Sequence, residues 1–151
     1  MAYWLLKSEP GTYSIDDLKK DKVTHWDGVR NYQARNLMKE MEKGDEALFY
    51  HSSADVIGVA GLATIAKEAY PDPSQFDKKS KYFDEKATKE NPRWFCPDVK
   101  FKKKFKEIVT LAELKEEKKL SEMILLKKGT RLSVQPIKKS QFDHIVKLAT
   151  R

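Results

Sequence analysis

The chain has 151 residues, 40% apolar and 11% aromatic, and its 30 Lys and Arg against 23 Asp and Glu leave a net charge of +7. That length suits one domain, 1–151, with a real core, and the aromatic content excludes a disordered chain. A single cysteine, Cys96, excludes an internal disulfide framework and a multi-cysteine zinc site, and no run approaches the roughly 18 apolar residues of a membrane helix. The first ten residues, MAYWLLKSEP, do not read as a signal peptide. The expectation is a cytoplasmic, reduced-compartment protein without cofactor or metal. Its positive surface favours anionic partners, with no membrane among them.

The first strand is predicted over Ala2–Lys7, stopping at Ser8-Glu9-Pro10-Gly11. Ser14 with Asp17 forms a capping-box pattern, which opens a short helix to Lys20. A loop follows through Thr24-His25-Trp26-Asp27-Gly28. Asn31 caps a helix over Tyr32–Glu42, whose Ala34, Leu37, Met38 and Met41 follow 3–4 spacing. Ala47–His51 and Val56–Ala66 read as buried strands, and Gly58 and Gly61 point to curvature or close backbone approach. Residues 70–92 form a long surface loop of the kind that is often functional.

Trp94–Val109 alternates, with Phe95, Val99, Phe101 and Phe105 on one parity and Lys100, Lys102, Lys104 and Lys106 on the other. That predicts one buried and one cationic face. Thr110 with Glu113 caps a helix to Lys118, and Ser121–Leu126 adds a helical turn. Gly129-Thr130 leads into a strand over Arg131–Gln135 that stops at Pro136, and a last helix spans Ser140–Ala149. Five or six strands with short helices make an α+β domain around a curved sheet or small barrel.

Phosphate loops of GxxxxGK[ST] type, dinucleotide GxGxxG turns and GxSxG elbows are all missing. His25, His51 and His144 are scattered, which argues against a metal or a hydrolytic triad, and Cys96 reads as a small buried hydrophobe. The lysine row admits two readings: cations tracking a phosphate backbone, or an edge strand guarded against pairing. Residues Lys7–Pro10, Trp26–Asn31 and Tyr50–Ser52 combine an aromatic plate, hydroxyls, amides and both charges. A flat base needs that mixture, an aromatic face to stack on and polar groups for its edge.

YWLLKSEP at residues 3–10, WDGVRNYQARN at 26–36, GDEALFYHS at 44–52, YPDP at 70–73, PRW at 92–94 and RLSVQP at 131–136 together resemble the EVE domain family. The resemblance runs from Ala2 to Leu148. It implies a PUA-like fold, a small curved β-barrel of five or six strands with flanking short helices. It also implies a non-catalytic module that binds a modified base of DNA or RNA, akin to YTH domains with their aromatic cage. Lys7-Ser8 and Trp26 stand where YTH domains carry a Lys-Ser pair and a cage Trp. His51-Ser52 matches their Phe-Ser pair only in part.

The implied base-binding set is Lys7, Ser8, Glu9, Trp26, Val29, Asn31, Tyr50, His51 and Ser52, with Tyr50, Tyr32 or Trp94 as a second cage aromatic. Arg30, Arg35, Arg131, Lys100 and Lys102 are the implied phosphate contacts. The competing readings are a hydrolase of ASCH-like type, with Lys7 and Glu9 as its acid–base pair, and a basic protein-interaction module. Because the chain opens directly on the domain, the expected source is bacterial.

Overall fold

The computed structural model describes residues 1–129 and 131–151; Thr130, half of the turn expected before the last strand, lies outside the described residues. Among the described residues there are six strands: β1 (Tyr3–Ser8), β2 (Val23–His25), β3 (Glu46–His51), β4 (Gly58–Pro71), β5 (Phe95–Thr110) and β6 (Val134–Ile137). They form one open mixed sheet in the order β2-β5-β4-β3-β1-β6. The pair β1/β3 is parallel and every other pairing is antiparallel. The helices are α1 (Ile15–Asp21), α2 (Tyr32–Glu40), α3 (Leu111–Lys115) and α4 (Lys139–Ala149). None is long and apolar enough to cross a membrane.

Both faces of the sheet are covered, which is why β1 and β3 read as unbroken apolar runs. Trp4, Leu6, Ala47 and Phe49 point to one side, into a core shared with Ile15 and Leu18 of α1 and Ala34 and Met38 of α2. Leu5, Leu48 and Tyr50 point to the other, against Leu114 of α3 and Phe142 and Ile145 of α4. The predicted caps form as read. The Asp17 amide donates to Ser14 Oγ at 3.1 Å, the Ala34 amide to Asn31 Oδ1 at 2.9 Å, and the Glu113 amide to Thr110 Oγ1 at 3.2 Å.

Four expectations need correction. β2 falls in the segment read as a loop; three residues gain strand geometry only by pairing with Asp98–Lys100. β4 continues to Pro71, into the segment read as loop. β6 runs through Pro136 instead of stopping there, because it is an edge strand and the missing N–H faces no partner. The single apolar face expected of β5 is split: Val99 and Phe101 serve one core, Phe105 and Val109 the other. Register shifts along β4/β5 cause this, since a bulge moves the following residues to the opposite face. The glycine expectation holds. A Cβ on Gly61 would meet the Lys103 carbonyl oxygen at 2.3 Å, so the two backbones touch there.

Candidate nucleic-acid interface

The carboxyl ends of the parallel pair β1/β3 open onto a cavity of about 1020 Å³. Lys7, Ser8 and Glu9 enter it from the end of β1, and Thr12 and Tyr13 from the turn that follows. The end of β2 and its loop contribute Thr24, His25 and Trp26 through Asn31. Ser52 and Ser53 come from the β3/β4 loop, Lys81 and Tyr82 from the long loop between β4 and β5, and Arg131 and Ser133 from the approach to β6.

Trp26 is 8% exposed and serves two surfaces at once. Its ring meets Phe49 edge to face at 5.6 Å inside the core, while the residue lines the cavity. Its amide donates to the Pro97 carbonyl at 2.9 Å, which fixes the loop at the end of β2. Gly28 turns the chain with φ +79°, and a Cβ there would lie 2.5 Å from the Tyr82 ring. Tyr82 therefore packs directly on the Trp26–Asn31 loop. The resemblance implies Tyr50, Tyr32 or Trp94 as the second aromatic, yet none of these lines the cavity; Tyr13 and Tyr82 do, and of the two it is Tyr82 that packs on the Trp26–Asn31 loop. Its only sequence signal was its place in an unusually long loop.

Asp72, from the YPDP stretch, locks this arrangement. It accepts from the Gly28 amide at 2.9 Å, from the Ser74 amide and hydroxyl at 2.8 and 2.6 Å, and from Arg30 at 3.1 Å. Burial pushes its carboxyl up, but these donors together hold it below the usual carboxylate range. Beyond it runs a stack: Arg35 over Tyr32 at 4.8 Å, Tyr32 on Trp94 at 4.9 Å, then Arg30 between Trp94 and Tyr82 at 5.3 and 5.6 Å, closed by Lys81 at 5.1 Å. Such contacts are worth about 0.5–2 kcal/mol each. Trp94, of the PRW stretch, also donates its indole N–H to Asp84 at 2.8 Å.

Several implied site residues lie elsewhere or are otherwise engaged. Tyr50 sits in the core on the opposite face of the sheet. His51 is buried and accepts the first amide of α1, from Ile15, at 3.1 Å on Nε2; burial lowers its pKa and keeps the ring neutral for that role. Arg30 lines the cavity, but its five N–H groups go to Asp72, Ser74 Oγ, the Tyr82 carbonyl twice and the Val29 carbonyl, leaving none for a phosphate. Arg35 donates to the Arg93 carbonyl and to Asn36. Lys102 pairs with Glu46, and neither it nor Lys100 belongs to the cavity. Alternation told these lysines apart from the core but not which side of the molecule they face.

Lys7, Ser8, Glu9, Trp26, Val29, Asn31, Ser52 and Arg131 do converge on the cavity. Asn31 spends its side-chain oxygen on the α2 cap and Ser8 its hydroxyl proton on the Tyr13 carbonyl, at 2.5 Å. Burial lowers the pKa of Lys7 and, with the charge of Asp72, raises that of Asp27, which belongs to the Trp26–Asn31 segment but not to the implied base-binding set. His25 is braced by Asp98 at 3.1 Å and by the Tyr70 hydroxyl at 2.7 Å. Cys96 is buried, and burial pushes its thiol up to about 12, far from nucleophilic range.

The chain matches the EVE domain family over residues 2–148. It is 42% identical to human thymocyte nuclear protein 1 over 166 residues, covering 97% of this chain and 73% of that protein. A crystal structure of a Pseudomonas syringae protein superposes with a TM-score of 0.95 at 47% identity, covering 98% of this chain and 99% of that one. The human THYN1 protein in complex with 5-methylcytosine containing DNA superposes with a TM-score of 0.92 at 41% identity, covering 100% and 99%. The α+β arrangement is thus the PUA-like one that the resemblance implied, and this chain belongs to the EVE domain family.

Proposed function

We propose that this protein is a non-catalytic reader that takes one modified base of a nucleic acid into the cavity between Trp26 and Tyr82. The observation that carries the reading is the pairing of these two rings in one cavity with Lys7, Lys81 and Arg131 around it. It is supported by the human relative in complex with 5-methylcytosine containing DNA. A base on an aromatic ring gains about 1–3 kcal/mol, and a desolvated cavity makes an added methyl group count. Ser52, Asn31 and the acid Asp27 supply donors and acceptors for the base edge. Arg131, free of any carboxylate within 4 Å among the described residues, takes an adjacent phosphate.

The test is fluorescence anisotropy on one short strand, as DNA and as RNA, with cytosine or 5-methylcytosine at the centre. A preference for the methylated strand, lost in Trp26→Ala and in Tyr82→Ala, is the expected result. Binding that ignores the methyl group and collapses with salt would overturn the reading and leave only a basic surface.

A further inference from the structure

We propose that Phe83 is a wedge that enters a duplex at the position vacated by the base drawn into the cavity; this rests on the reading of the cavity given above. Phe83 is 37% exposed, and it directly follows Tyr82, which lines the cavity. Adjacent Cα atoms are about 3.8 Å apart, so Phe83 is anchored one residue from the cavity wall, outside its lining. Among the described residues the other large exposed aromatic is Tyr32, and its faces are taken by Trp94 and Arg35. Phe83 has no such ring partner.

A wedge must be held rigidly, because unstacking a base step costs a few kcal/mol that a swinging side chain would not recover. Phe83 is exposed between two anchored neighbours. The Tyr82 carbonyl accepts twice from Arg30, at 2.7 and 3.2 Å. Asp84 accepts from the Trp94 indole at 2.8 Å, and its amide donates to the carbonyl of buried Gln75 at 3.0 Å. The Phe83 amide itself closes a turn onto the Ser80 carbonyl at 3.1 Å. The same loop exposes Lys78, Lys79 and Lys81, cations suited to the phosphates on either side of a gap.

A base already unpaired needs no wedge, and this separates the inference from the cavity reading. Anisotropy would be measured on a 5-methylcytosine duplex and on the methylated strand alone, with 2-aminopurine beside the methylated base to report unstacking. Phe83→Ala should lose about tenfold in duplex affinity and the 2-aminopurine brightening, yet hold single-strand affinity within about twofold. Phe83→Trp should restore both. Equal loss on the two substrates, no loss on either, or the same duplex defect in Val56→Ala, another exposed apolar residue, in the β3/β4 loop, would overturn the wedge. A parent protein without preference for methylation in either form would overturn the cavity reading, and the wedge with it.

Discussion

Arg30 and Asp72 form an ion pair at 3.1 Å in which the carboxylate is 1% exposed and the guanidinium 22%. The pair joins the loop that carries Trp26 to the loop that carries Tyr82, so both aromatic walls of the cavity depend on it. Ions removed from water are costly unless every partner is satisfied, and here each oxygen of Asp72 accepts twice.

Breaking this pair should therefore be costly. Asp72→Ala strands a largely buried guanidinium and the Gly28 amide, and the expected loss is about 3–5 kcal/mol in urea unfolding. Asp72→Asn keeps part of the hydrogen bonding and should fall between Asp72→Ala and the parent. A loss below about 1 kcal/mol for Asp72→Ala would mean that the loops are held by other contacts.

Gly28 offers a test of the Tyr82 wall. Gly28→Ala combines a left-handed φ with a methyl group inside the Tyr82 ring, so it should cost about 1–2 kcal/mol in stability and displace the ring. Affinity for the methylated strand should drop about tenfold, roughly one lost stacking contact. Unchanged affinity would remove Tyr82 from the binding surface.

His51 makes stability depend on pH. Its folded pKa lies below the ordinary value because the ring is buried, with the Lys104 charge adding to the shift, and its neutral Nε2 accepts the Ile15 amide. Protonation then favours the unfolded chain, so the stability is complete above the usual pKa of about 6.5 and is lost as pH falls through the folded value. Denaturant unfolding from pH 7.5 down to 5 should show this decline. His51→Gln, which keeps an acceptor and cannot titrate there, should flatten it.

Salt dependence separates cations that touch phosphate from those that do not. Lys81→Ala and Arg131→Ala should each reduce the slope of log affinity against log salt by about 0.7–0.9. Lys100→Ala and Lys102→Ala should leave it as in the parent, since Lys102 is paired with Glu46 and both lie away from the cavity. A shallower slope for the last two would restore the lysine row as a phosphate track.

Local chemistry was legible in the residues themselves. Capping boxes at Ser14 and Thr110, the Asn31 cap, the buried runs of β1 and β3 and the glycine contact at Gly61 all follow from interactions within a few residues or from the pleat of one strand. So did the convergence of Lys7–Glu9, Trp26–Asn31 and Ser52, because these segments close strands that run side by side or cap the helices beside them.

What the tertiary structure alone decided is which side of the sheet a residue faces and whether its polar atoms are already taken. Tyr50 and Ser52 are two apart, yet one is core and the other cavity, because the strand ends between them. Bulges in β4/β5 moved Phe105 across the sheet from Phe101. Arg30 looked like a phosphate ligand until Asp72, 42 residues on, claimed it. Tyr82 reached the cavity only because that same pair folds its loop onto Gly28. Alternation and spacing describe neighbours along the chain, whereas hydrogen-bond capacity is spent across it.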